Sequence, residues 1–204
     1  PLVWWAARGL RAGGVGAIVV TAPASSIEDF ERALSDIDDL AVVAGSDRSR
    51  QESVALGLAA LGRCEADTVV LVHDAARPLT PPQVTGRVID AVAGGAGAVI
   101  PVLPVTDTLK TVDASGVVVG TPRRSDMVAV QTPQGFRWDV LIRAHEAGAS
   151  LGADEAAAAT DDAGLVEAIG GSVHTVAGDE RSMKVTRPLD LALAQILVAE
   201  EMSA

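Results

Sequence analysis

An aspartate and an arginine lie three residues apart on a run of small side chains, His73-Asp74-Ala75-Ala76-Arg77-Pro78. A carboxylate there can accept hydrogen bonds from hydroxyls, and a guanidinium can grip a phosphate. The run follows residues 68–72, an unbroken apolar stretch rich in β-branched side chains that predicts a strand covered on both faces. The pair therefore falls at a strand's carboxyl end, where open α/β sheets bind ligands. The same spacing also lets Asp74 and Arg77 close a turn on each other without any ligand.

Lys110 and Lys184 are the only lysines, so the other 14 of the 16 basic residues are arginine. Either this is chance, or each position requires a compact ammonium that a planar fork cannot replace. Asp107-Thr108-Leu109-Lys110 offers a hydroxyl and an ammonium, or is a solvated loop. Residues 183–186 place Lys184 on a short predicted strand, where it serves a site or snorkels beside the core. Gln131-Thr132-Pro133-Gln134-Gly135-Phe136 has a polar, proline-fixed geometry, or is a helix-entry turn that puts Phe136 in the core. Thr160-Asp161-Asp162 reads most simply as a helix cap.

The elements that must position these groups alternate between short apolar runs and amphipathic stretches. Strands are predicted over 17–20, 40–44, 68–72, 98–102 and 173–176. Helices are predicted from Ser26 with Asp29 through Ile37, from Ser49 with Glu52 through Leu61, from Thr80 with Pro81 and Pro82, and over 138–147. Two more start at Thr160 or Asp161 and at Pro188, and another occupies the front of the chain before the first strand. This alternation predicts an α/β fold with a mainly parallel sheet in one domain. Residues 110–121 break the rhythm: a Ser115-Gly116 turn between two β-prone runs predicts a hairpin, either an arm that meets a partner chain or a surface excursion.

Composition narrows the function classes. The chain has 204 residues, 49% of them hydrophobic and 21% charged, which suits one folded domain. A net charge of −11 disfavours non-specific binding to nucleic acid or anionic membrane. No apolar run approaches the ~18 residues that span a bilayer. Cys64 is the only cysteine, so no intramolecular disulfide or thiolate zinc cluster can form, and a cytoplasmic enzyme is expected. His73, His145 and His174 lack zincin spacing, and G-x-S-x-G and Walker A sequences are absent. Gly13-Gly14-Val15-Gly16 precedes a predicted strand rather than following one, which argues against a dinucleotide-dependent oxidoreductase.

Taken together, V-H-D-A-A-R-P at 72–78, the D-T-x-K ending at Lys110, T-P-Q at 132–134, T-D-D at 160–162 and K-V-T-R-P-x-D-L from Lys184 resemble the 2-C-methyl-D-erythritol 4-phosphate cytidylyltransferases of the non-mevalonate isoprenoid pathway. The resemblance runs over essentially the whole chain. It implies a Rossmann-like nucleotidyltransferase domain over 1–204 that joins CTP to the sugar phosphate with release of pyrophosphate, assisted by Mg²⁺. It further implies a homodimer formed through an arm at about 107–125, with no role for nucleic acid or membrane.

Carried over by position, Asp74 resembles the residue that binds the sugar hydroxyls. Arg77, Thr108, Thr132 and Lys184 resemble other substrate contacts, and Arg124 resembles an arginine donated across the dimer. Lys184 and Arg124 would act on the reacting phosphates. Ser53, Arg50 and Ala75 resemble contacts to the nucleotide, although Gly45-Ser46 stands where such chains carry a glycine pair. Those chains also open with a strand and a glycine-rich loop ahead of the helix that begins here near Pro1, so the resemblance implies that the natural protein continues upstream. Ribitol 5-phosphate as the acceptor, or a non-catalytic fragment of either enzyme, are the alternatives.

Overall fold

A computed structural model describes residues 1–150 and 159–203. It begins with α1 (Leu2–Ala12), β1 (Ile18–Ala22), α2 (Ile27–Ala33) and β2 (Leu40–Ala44). Next come α3 (Arg50–Leu61), β3 (Val69–Val72), α4 (Pro82–Ala93) and β4 (Ala98–Pro104). Four short strands follow: β5 (Thr111–Val112), β6 (Val118–Gly120), β7 (Val128–Val130) and β8 (Gln134–Arg137). The chain closes with α5 (Trp138–Gly148), α6 (Asp162–Ala168), β9 (Val173–Ala177) and α7 (Pro188–Ser203).

The sheet has the mainly parallel character that the alternation predicted, with one insertion. β3 and β4 both pair antiparallel with β8, and β9 pairs parallel with β4, so β3, β4 and β9 share one direction. β7 and β8 follow each other along one edge of β4 while β9 takes the other. β1 and β2 form a separate parallel pair.

Strand alternation explains why both faces of β3 are apolar. Val70 packs with Phe136, Leu58, Leu141 and Leu165 on the face covered by α3, α5 and α6. Val69 and Leu71 pack with Val88, Val92 and Val99 under α4. Phe136 is fully buried, as the helix-entry alternative for 131–136 expected, but it sits on a strand and not at a helix-entry turn. Gly135 makes this possible: a Cβ there would lie 2.3 Å from Val88 Cγ1, so only glycine lets β8 thread beneath α4.

Several local predictions are corrected. Helix α2 stops at Ala33 and not Ile37, because the Ser-Asp-rich end favours turns and the Trp4 indole holds Asp36 at 2.9 Å. Ser26 makes no capping bond, and Pro81 rather than Thr80 is the cap of α4. The Thr80 hydroxyl instead donates to the Arg77 carbonyl. Ser49 does cap α3, accepting from the Glu52 amide, and Asp161 caps α6 by accepting from Gly164. Lys184 lies on irregular chain and not on a strand; the Val185 amide ties that segment to the Ala76 carbonyl at 2.7 Å.

Between β1 and β3 runs a slot of about 710 Å³, lined by Ile18, Val20, Leu58, Val70 and Val72 among others. β1 pairs only with β2 and β3 only with β8 among the described residues, so the strand edges facing the slot carry no partner. One end of the slot is polar, and five of the predicted site residues line it: Arg50, Ser53, Asp74, Ala75 and Lys184.

Candidate active site

Arg50, Ser53, Asp74, Ala75 and Lys184 all line the slot. Arg50 opens α3, Asp74 and Ala75 lie just past β3, and Lys184 arrives from the segment before α7. Asp74 Oδ2 receives the Lys184 ammonium at 2.9 Å, and Asp74 Oδ1 receives Arg50 Nε at 3.3 Å. Burial pushes the Asp74 carboxyl up, but the Lys184 hydrogen bond and the Arg50 charge outweigh it, so its pKa lies below the ordinary value. The scarce ammonium at Lys184 is thus committed to the one carboxylate singled out in the sequence.

Backbone geometry at Asp74 is fixed from the other side. Its amide donates to Thr132 Oγ1 at 3.1 Å, and that hydroxyl lies 2.9 Å from His73 Nδ1. His73 Nε2 lies 3.2 Å from the Arg77 carbonyl, which can only accept, so the imidazole proton is on Nε2. Removal from water lowers the His73 pKa to about 4, leaving the ring neutral near pH 7 with Nδ1 as an acceptor. The Thr132 hydroxyl therefore donates to His73 while accepting from Asp74. Thr132 acts on the site by holding the Asp74 backbone.

Arg77 does not pair with the Asp74 side chain. Its amide donates to the Asp74 carbonyl at 2.9 Å, closing the turn through the backbone. Its guanidinium donates to the carbonyls of Ser182 at 2.7 Å and Val130 at 3.2 Å, and Nε is buried with no partner. Burial lowers the Arg77 pKa, with the Asp74 charge opposing. The Ser53 hydroxyl meets Ser46 and Ser49 and fixes the loop before α3.

Two predicted residues lie elsewhere. Thr108 is exposed on the arm, and Arg124 donates to the Thr106 carbonyl at 2.8 Å at the arm's base. Within the single chain, no interaction among the described residues joins either to Asp74. Lys110 donates to Thr121 Oγ1 at 2.7 Å, stapling the two sides of the hairpin away from the slot.

Sequence reasoning missed the support beneath the cluster. Asp162 is 1% exposed and accepts from both Arg50, at 2.8 Å, and His145 Nε2, at 2.9 Å. A histidine on the apolar face of α5, beside Leu141 and Ala144, was the available signal. Gln134, also fully buried, donates to Asp161 and accepts from the Ala163 amide, fixing the start of α6.

Comparison with known proteins identifies the family. The family model for 2-C-methyl-D-erythritol 4-phosphate cytidylyltransferase matches residues 1–200. An enzyme of that name from Rhodococcus jostii is 48% identical over 191 residues, which is 94% of this chain and 79% of the relative. One from Nocardia farcinica is 48% identical over 199 residues, covering 97% and 81%. Among solved structures, the Thermus thermophilus enzyme of that name matches with a TM-score of 0.75 at 33% identity, covering 96% of this chain and 87% of that one. With a family model spanning nearly every residue and relatives close to half identical, the chain belongs to the 2-C-methyl-D-erythritol 4-phosphate cytidylyltransferase family.

Proposed function

We propose that this chain catalyses cytidylyl transfer from CTP to 2-C-methyl-D-erythritol 4-phosphate at the polar end of the slot. The observation that carries the reading is Asp74, an ionised carboxylate held between Lys184 and Arg50 where the slot opens. A phosphate oxygen of the sugar attacks the α-phosphorus of CTP, a new P–O bond forms, and the bond to the β-phosphate breaks to release pyrophosphate. Such a reaction needs two polyanions brought together in line and the growing charge neutralised. Asp74 accepts from the sugar hydroxyls, and Lys184 and Arg77 are assigned to its phosphate, Arg77 by exchanging its contacts to the Ser182 and Val130 carbonyls for phosphate oxygens; Ser53, Arg50 and Ala75 are assigned to the nucleotide.

Arg124 and Thr108 reach a site only through a second copy of the chain in this reading. The arm favours that arrangement. Val117, Val118 and Val119 are each more than half exposed, as is Val112 on the facing strand, an apolar surface that water penalises in a lone chain. The slot itself has room for a further strand between the unpaired edges of β1 and β3.

The described residues do not build a resident cation site. No three metal-ligating side chains converge among them, and both Asp74 oxygens already accept from cations. The proposed Mg²⁺ is accordingly one that arrives on the nucleotide's phosphates, and no step here is routed through it. The test is pyrophosphate release from CTP with methylerythritol 4-phosphate or with ribitol 5-phosphate as acceptor. Release with the first at least tenfold faster is expected; equal rates, or release only with the second, would overturn the acceptor assignment.

A further inference from the structure

The ion chain beneath the site ends on a carboxylate that no substrate can reach. Asp162 is the first residue of α6, and its two oxygens are divided between two cations or donors: Oδ2 takes an Arg50 terminal nitrogen at 2.8 Å and Oδ1 takes His145 Nε2 at 2.9 Å. Burying a carboxylate this deeply is costly unless its lone pairs are filled, and here they are. Arg50 in turn spans from Asp162 to Asp74, which are 88 residues apart in sequence. Its contact with Asp162 is the shorter of the two, and the contact with Asp74 is a single one through Nε at 3.3 Å.

We infer that Asp162, oriented by His145, is a positioning residue that restrains Arg50 to one long contact with Asp74 and so keeps Asp74 available to the sugar. An unrestrained guanidinium would close on Asp74 with two parallel bonds, the preferred geometry for an arginine–carboxylate pair. That closure would occupy the lone pairs a sugar hydroxyl must use and would compete with Lys184. The Asp162 carboxylate opposes it by anchoring Nη1 at 2.8 Å, which holds the guanidinium where its Nε meets Asp74 only at 3.3 Å. His145 completes the device: its nitrogen fills Oδ1, which leaves Oδ2 for Arg50. The inference rests on the reading of Asp74 as the sugar-hydroxyl residue.

The experiment measures KM for methylerythritol 4-phosphate and for CTP separately in Asp162→Asn, Arg50→Met, the double variant and Asp74→Asn. Asp162→Asn is expected to raise the sugar-phosphate KM about tenfold, at least threefold more than it raises the CTP KM, with kcat changed less than threefold. Once Arg50 is Met, adding Asp162→Asn is expected to change nothing further. Equal effects on both KM values, or additive effects in the double variant, would overturn the inference, since a merely structural defect behaves that way. His145 supplies a route that does not touch the buried charge: His145→Gln, which still donates, should keep the sugar-phosphate KM, and His145→Leu should raise it. Equal KM values for these two variants would also overturn the inference. If Asp74→Asn leaves the sugar-phosphate KM unchanged, the sugar-site reading falls and this inference falls with it. If Asp74→Asn raises KM and Asp162→Asn does not, the inference falls alone.

Discussion

At the polar end of the slot, Asp74 is gripped by Arg50 from α3, by Lys184 from the segment before α7 and, through its amide, by Thr132 beside β8. On the arm, Lys110 has a single exposed bond to Thr121, and the turn is held by Asp113 accepting from Ser115 and Val117 within the same hairpin. The two lysines of the chain thus sit in opposite settings. The site is wired by bonds between residues far apart in sequence, so it forms only once the fold is complete. The arm is wired locally and leaves Val112, Val117, Val118 and Val119 exposed. A charged contact matters in proportion to how many other groups depend on it and how far water is excluded, not by its presence alone.

The largest effect that separates the two regions is expected at Lys184. Lys184→Met removes the ammonium from Asp74 and should lower kcat/KM on the order of 100-fold, about 3 kcal/mol for a charge-assisted contact. Steady-state kinetics with methylerythritol 4-phosphate varied would show it; a change under threefold would place Lys184 with Lys110 and erase the contrast.

Next in size is a pH effect carried by His73. Its folded pKa, about 4, lies below the ordinary value, so the unfolded chain takes the proton first as the pH falls. Stability from this group is intact above about pH 6.5 and is lost progressively toward pH 4, costing about 2 kcal/mol between pH 7 and pH 5. Denaturant unfolding at the two pH values should show that loss, and His73→Gln, which cannot take up the proton, should reduce it. An unchanged pH slope in the variant would show that the ring is not sequestered.

The arm is tested by making its apolar surface charged. Val119→Asp should shift the sedimentation mass from that of a dimer to the 20.8 kDa of one chain and make the melting temperature independent of protein concentration. Turnover should fall about tenfold, Arg124→Ala should fall to the same level, and the double variant should fall no further. Additive losses would mean that Arg124 acts without the arm. The smallest effect belongs to Lys110: Lys110→Met should change stability by less than about 0.5 kcal/mol and leave turnover as it was. A larger activity loss there would bring Lys110 itself into the chemistry.

The strands and helices were legible where burial imposes one period, as in β3 and β4 and the α4 helix that packs on them. Residues 134–137 were not, because Gln, Gly and Arg disfavour a strand and only the close fit under α4 imposes one. Lys184 was placed on a strand because its neighbours are β-prone, whereas a single backbone bond to Ala76 holds that segment extended. For the site, the loop after β3 announced Asp74 through its position at a strand end. Asp162 and His145 stayed hidden because a cap motif and a helical histidine have ordinary structural uses. Their joining through Arg50 spans 112 residues, which no local pattern records.

The most direct measurement is calorimetric binding of methylerythritol 4-phosphate to this chain, with and without CTP, alongside Arg77→Ala. One sugar phosphate per chain is expected, with affinity weakened about 30-fold in Arg77→Ala, roughly the 2 kcal/mol of a charge-assisted contact. Binding of equal strength in the variant, or no binding in either condition, would contradict the placement of the sugar phosphate at the polar end of the slot.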